Sequence, residues 1–174
     1  MKEKMTTKQL CIGGLFIAIV CLCTMMLQIP VPATSGYIHL GDSVILIIAV
    51  FFGWKYGMLA GGIGSALADL FSGYPHWVLF TLIIKGTMGL LIGSVSDFDR
   101  GNRNIFSARN VLASVIGIAC MVAGYLLGGT VLKGSFAVAL TSVPSNIVQG
   151  IGGLIIYYVI GFAFEKAKIF KLLN

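Results

Sequence analysis

Several stretches of this chain run for about 18 to 22 residues with hardly a charge, the length a helix needs to cross a hydrocarbon core about 30 Å thick. That feature limits the fold more than any other, because within lipid every backbone polar group must be satisfied inside the segment itself. The composition agrees. The 174 residues are 57% hydrophobic and 10% charged, with 23 glycines and a mean hydropathy of +0.97, far from a soluble domain. The expected fold class is all-α integral membrane. One domain over 1–174 is expected, with no separate soluble part.

Glycines, prolines and charges divide the chain into six segments: about 9–27, 42–54, 56–71, 77–95, 111–131 and 141–164. The second and third are short and meet at Trp54-Lys55-Tyr56, so they read equally as one helical hairpin. The first follows Lys2, Lys4 and Lys8 but is too long for a signal h-region and lacks an A-x-A-like exit; it reads as a retained span. A six-transmembrane-helix bundle with both termini cytoplasmic puts Lys2, Lys4, Lys8, Lys55, Arg100, Arg103, Arg109, Lys166, Lys168 and Lys171 inside. Lys133 is then outside and Lys85 within the membrane, which satisfies the positive-inside rule at every cytoplasmic loop. The net charge of +6 therefore reports topology, and no nucleic acid need be invoked. The stretch "DRGNRNIFSAR" reads as a solvated loop or as a contact for anionic lipid or a cytoplasmic partner.

The outer face differs. Its first loop, "QIPVPATSGYIHLGD" (28–42), carries Tyr37, His39 and Asp42; its second, "SGYPHW" (72–77), carries Tyr74, His76 and Trp77. Two proline-stiffened aromatic loops on one side can form a lid.

Polar residues inside a membrane are expensive and mark functional sites by default. On the fourth span Trp77, Thr81 and Lys85 recur at i, i+4, i+8 and share a face; on the third, Ser65, Asp69 and Ser72 do likewise. The sixth opens at "TSVPSNIVQG" and brings Asn146 and Gln149 onto one face. With the fourth span starting at Trp77, Lys85 lies roughly 12 Å deep, and Pro144 in a first turn leaves Asn146 and Gln149 within about two turns of the same surface. The stripes converge on a pocket open to the outside.

Each residue also has a plainer reading. Lys85 can pair with Asp69; Asp69 and Asp42 can be boundary carboxylates; Asn146 and Gln149 can be interhelical glue. Trp77 and Tyr74 can belong to an interfacial belt. His39 and His76 are too few for a metal, the four cysteines lie in apolar segments, and no cofactor is expected. The chain has no G-x-x-x-x-G-K-[ST] and no cytoplasmic acid-histidine cluster, so neither ATP hydrolysis nor an enzyme of membrane lipids is expected. The third span stacks Gly57, Gly61 and Ser65 at fourfold spacing, a signature of close helix contact, and the first carries Gly14 and Ala18 at the same spacing.

The runs "GYIHLGDSVILIIAVFFGWKYGMLAGGIGSALADL", "TLIIKGTMGLLIG" and "VPSNIVQGIGGLI" resemble the substrate-binding S components of energy-coupling factor (ECF) vitamin transporters, over nearly the whole chain. The likeness is greatest to the riboflavin-type branch with its hydroxymethylpyrimidine- and pyridoxine-related members. The resemblance implies a multi-pass protein of the bacterial cell membrane that binds a water-soluble vitamin or precursor in an outer pocket. It also implies partners: an ECF transmembrane coupling protein and two cytoplasmic ATPase subunits that supply the energy. Lys85, Asn146 and Gln149 fall where ligand contacts are expected, with Thr81 on the same substrate-binding stripe as Lys85; Tyr37, His39, Tyr74 and Trp77 are lid or stacking groups, and Asp69 ranks lower. Gly14 and Ala18 stand where the family has a docking surface, in place of its usual alanine pair.

One amine, two amides and several aromatics suit a small neutral or weakly anionic heteroaromatic such as hydroxymethylpyrimidine or a pyridoxine form. Riboflavin is larger, and pantothenate would use Lys85 to neutralise its carboxylate. The competing class is a self-contained secondary transporter, although no inverted repeat is evident.

Overall fold

The computed structural model describes residues 6–26, 28–31, 36–97 and 104–167. Lys2, Lys4, Arg100, Arg103, Lys168 and Lys171 of the orientation argument, and 32–35 of the first outer loop, lie outside the described residues. In chain order the elements are α1 (Thr7–Met26), a hairpin of β1 (Gln28–Val31) and β2 (Gly36–His39), α2 (Gly41–Phe52) and α3 (Trp54–Leu59). A π-helical turn (Ala60–Gly64) follows, then α4 (Ser65–Phe71), α5 (Val78–Val95), α6 (Ala108–Lys133), α7 (Phe136–Leu140) and α8 (Val143–Lys166).

Among the described residues, four stretches are long and apolar enough to cross a membrane: Thr7–Met26, Val78–Val95, Ala108–Lys133 and Phe136–Lys166. The segments expected at 42–54 and 56–71 do not reach that length as regular helices. At about 1.5 Å per residue, α2 is only about 18 Å long. The rod from α3 to α4 keeps right-handed helical dihedrals at both joints but widens to π geometry across "AGGIG". The last stretch is interrupted at Thr141-Ser142, where α7 gives way to α8, which carries Pro144 in its first turn.

The short α2 is the centre of the molecule. Ten of its twelve residues are buried, as expected of a helix apolar on all sides. It packs against α1, α3, α5 and α8. Leu46, Val50 and Phe51 meet Ile84, Met88 and Ile92 of α5, Met121 of α6 and Tyr157 of α8; Ile45 and Ile48 meet Val20 of α1 and Ala60. Outside this core, Leu15, Leu79, Ile83, Leu127, Val131, Ile155 and Val159 are each more than half exposed. Such an apolar exterior is a lipid-facing surface.

Lipid is as apolar as leucine, so helices associate through close packing. The α3–α4 rod crosses α5 through glycines on both sides. A β-carbon on Gly89 would lie 2.1 Å from the Gly57 carbonyl oxygen, and one on Gly61 would lie 2.8 Å from that of Lys85. The fourfold spacing of Gly57 and Gly61 thus reports a backbone contact, which holds the helix bearing Asp69 against the helix bearing Thr81 and Lys85.

The first outer loop departs from an all-helical reading. β1 and β2 pair antiparallel with Gln28 opposite His39 and Pro30 opposite Tyr37. Alternation along β2 puts Tyr37 and His39 on one face. Pairing satisfies the backbone of a segment whose proline and glycine content keeps it out of a helix.

Candidate functional site

Beneath the hairpin lies a cavity of about 510 Å³, its open mouth included, lined by side chains from five places in the chain. The hairpin contributes Tyr37 and His39, the end of α4 Asp69, the start of α5 Trp77 and Thr81, the C-terminal half of α6 Tyr125, and the start of α8 Asn146 and Gln149, with Ser142 and Ser145 beside them. The polar stripes on α4, α5 and α8 therefore do converge. Two expected residues stand elsewhere. Tyr74 packs its ring against Tyr37, with centroids 4.9 Å apart, and is not in the cavity wall. Lys85 lies one turn below Thr81, fully buried and outside the lining.

Lys85 corrects the sequence reading in a second way. Its partner is Asp42, and the alternative pairing with Asp69 does not occur. Both side chains are 0% exposed, so Asp42 is no boundary carboxylate. The reason is the depth of α2: its early end at Gly41 carries Asp42 down to the middle of α5, whereas Asp69 sits about one turn higher, at the level of Thr81. The Lys85 ammonium donates to Asp42 Oδ1, and the Gln149 side-chain amide donates to Asp42 Oδ2 at 2.8 Å. Lys85 Nζ also lies 5.3 Å from the centre of the Tyr125 ring. A buried charge pair of this kind persists only when both partners and their remaining hydrogen-bonding groups are satisfied.

Gln149 ties this floor to the hairpin. Its Oε1 accepts from the His39 backbone N–H at 3.2 Å, which fixes the amide orientation. The Gly41 N–H donates to His39 Nδ1 at 3.0 Å, so in the neutral ring the proton sits on Nε2. Burial away from water lowers the His39 pKa to about 4, against the opposing pull of Asp42, and Lys85 adds to the lowering. His39 is thus a neutral imidazole in the cavity wall.

Asp69 contrasts with Asp42. Tyr37 donates to Asp69 Oδ1 at 2.7 Å, and burial, followed by that carboxylate, pushes the Tyr37 hydroxyl pKa up. The second oxygen, Oδ2, is buried without a hydrogen-bond partner among the described residues. The Thr81 hydroxyl lies beside the Asp69 carboxyl and shares a hydrogen bond with the Tyr125 hydroxyl at 3.2 Å, in which either oxygen can donate. Around these groups the rings form a wall: Trp77 meets Tyr125 edge to face at 5.6 Å, and Tyr37 lies 5.5 Å from His39.

Gln28 donates to Ser72 at 2.8 Å, pinning the hairpin to the end of α4. Ser65, on the same stripe as Asp69, is buried lower in the rod and takes no part in the cavity. Tyr125, Ser142 and Ser145 escaped sequence reasoning. Tyr125 was the most discoverable, a lone tyrosine in the apolar run "MVAGYLLGG"; the two serines flank Pro144 in the α8 opening, where only the amides drew notice.

A pocket with this wall at one end of an apolar bundle has the concave, partly aromatic and partly polar character of small-molecule sites. The family model described as "ECF-type riboflavin transporter, S component" matches residues 4–166. The chain belongs to that family. This S component is 43% identical over 143 residues to an uncharacterized protein in the gap 3' region of Pyrococcus woesei, covering 82% of this chain and 92% of that one. It is 27% identical over 170 residues to the thiamine precursor transporter HmpT of Lactococcus lactis subsp. cremoris, covering 97% and 95%. A UPF0397 protein of Streptococcus pneumoniae is 27% identical over 152 residues, covering 87% and 81%. This S component is therefore a multi-pass membrane transport subunit and not an enzyme.

Proposed function

We propose that this S component captures hydroxymethylpyrimidine or a closely related small heteroaromatic, such as a pyridoxine form, from the outer side of the membrane. The observation that carries the reading is the cavity itself: an aromatic wall of Trp77, Tyr125 and Tyr37 with hydrogen-bonding groups from His39, Asp69 and Asn146. A flat ring with polar substituents matches that combination. The thiamine-precursor name of the HmpT relative favours the same ligand class. Pantothenate fits less well, because the amine that would neutralise its carboxylate is buried against Asp42. Lys85 and Gln149 then act by holding the pocket floor, and Tyr74 by backing Tyr37.

In this reading the chain is one domain of six membrane-crossing segments, with α2 and the α3–α4 rod as the second and third. The termini face the cytoplasm. Lys55, Arg109 and Lys166 stand at the end away from the cavity, and Lys133 at the cavity end, as the positive-inside rule requires. Uptake is driven by a transmembrane coupling protein and two ATPase subunits. Gly14 and Ala18 contribute to the docking face: both are exposed on α1, and a β-carbon at Gly14 meets nothing within 4 Å.

The test is a thermal-shift panel of B vitamins and their precursors on the purified protein. A ligand at 100 times its Kd adds about 2.7 kcal/mol of stability. Hydroxymethylpyrimidine or a pyridoxine form should stand out; a panel without a hit removes the reading. Flux through liposomes holding this chain alone would point instead to a self-contained transporter.

A further inference from the structure

Two carboxyl groups belong to the cavity region, and they are treated differently. Asp42 has both oxygens occupied, one by Lys85 and one by Gln149. Asp69 is 6% exposed, lines the cavity, and has one oxygen held by the Tyr37 hydroxyl while Oδ2 has no hydrogen-bond partner among the described residues. A buried acceptor left without a donor costs about 1–3 kcal/mol, more when it is charged. That cost is removed when a ligand brings the donor. The tyrosine bond fixes the carboxyl in one rotamer, so the position of the open oxygen is set before anything binds.

The neighbouring groups decide what kind of donor is wanted. The cavity's one nearby ammonium, Lys85, lies below the lining and is committed to Asp42. His39 Nε2 faces the Gln149 side-chain nitrogen at 3.5 Å. The wall therefore offers an acceptor at Asp69 and no free cation among the described lining residues for an anionic substituent.

We infer that Asp69 Oδ2 is the specificity-determining acceptor of this pocket, taking a hydrogen bond from an amino group on the heteroaromatic ring, so that amine-bearing rings are selected over rings lacking the amine. The inference rests on the function proposed above and narrows its substrate class to amino-substituted heterocycles. It reverses the low rank that sequence reasoning gave Asp69.

The test is a pair of probes, hydroxymethylpyrimidine with its exocyclic amine and the same ring with that amine replaced by hydrogen, titrated calorimetrically into the purified chain. A hydrogen bond to a charged acceptor predicts a preference of about 10- to 100-fold for the amine in the wild type. Asp69→Asn should shrink that ratio, and Asp69→Ala should bring it near one while the deaminated ring still binds, which reports that the pocket has folded. Equal affinity of the wild type for both probes overturns the inference and leaves the proposed function standing. A preference that persists in both variants overturns the inference too. A wild type that binds neither ring overturns the inference, and the proposed function falls with it only if the vitamin panel gives no hit either.

Discussion

The floor of the cavity and its wall use the same residue types to opposite ends. On the floor, Asp42 is closed off by Lys85 and Gln149, and Gln149 is in turn held by the His39 backbone. Both Asp42 oxygens and the Gln149 oxygen accept from donors inside the protein. On the wall, Asp69 shares one oxygen with Tyr37, and the other is without a partner among the described residues. The difference teaches that burial of a charged group inside a membrane bundle does not by itself mark a ligand contact. What marks it is an incomplete set of partners facing a space large enough to be filled.

The strongest way to break this contrast is to open the floor. Lys85→Met leaves Asp42 buried and without its cation, a loss of about 3–5 kcal/mol. The variant should unfold at lower temperature in detergent with or without ligand. Adding Asp42→Asn, which removes the stranded charge while keeping an acceptor for Gln149, should restore much of the loss. If Lys85→Met lowers ligand affinity in a protein of unchanged melting temperature, the lysine belongs to the wall.

A smaller effect comes from His39, which stands between the two regions. Its pKa in the folded protein is about 4, below the ordinary 6.5 of the unfolded chain. Between those values the unfolded chain binds more protons, so stability falls as pH is lowered from about 6.5 towards 4 and is fully present above 6.5. His39→Asn, whose amide oxygen can replace Nδ1 as acceptor for Gly41, should flatten that part of the melting-temperature profile. An unchanged slope in the variant would assign the acid sensitivity to other groups.

The smallest effect on the isolated chain is expected far from both regions. Gly14→Leu and Ala18→Leu point to the outside of α1 and should leave melting temperature and ligand affinity near wild type, while uptake by the assembled transporter is lost. Loss of binding in the isolated chain would mean that α1 packs through this face internally.

Much of this arrangement is legible in the chain. The apolar runs dictate a membrane protein, because no other solvent tolerates so much exposed Leu, Ile and Val, and the glycine spacing of the third segment announces a backbone contact. The stripes on α4, α5 and α8 converge as the helical period requires, since residues four apart must share a face. The "HLGD" run and the α8 opening carry the family resemblance, and the family model covers residues 4–166.

Other features depend on relative depth, which periodicity does not encode. A helical period says which face Lys85 occupies but not which carboxylate stands at its level. Only the early start of α2 brings Asp42 to the middle of α5 and leaves Asp69 a turn above it. The hairpin, likewise, depends on pairing between residues up to eleven apart, Gln28 with His39, across a segment that reads locally as a loop. Sequence alone placed a lysine in a membrane segment and left open whether a ligand or an acid answers it, because periodicity gives faces and not depths; tertiary structure decided that Asp42 answers it, and left Asp69 Oδ2 without a partner among the described residues.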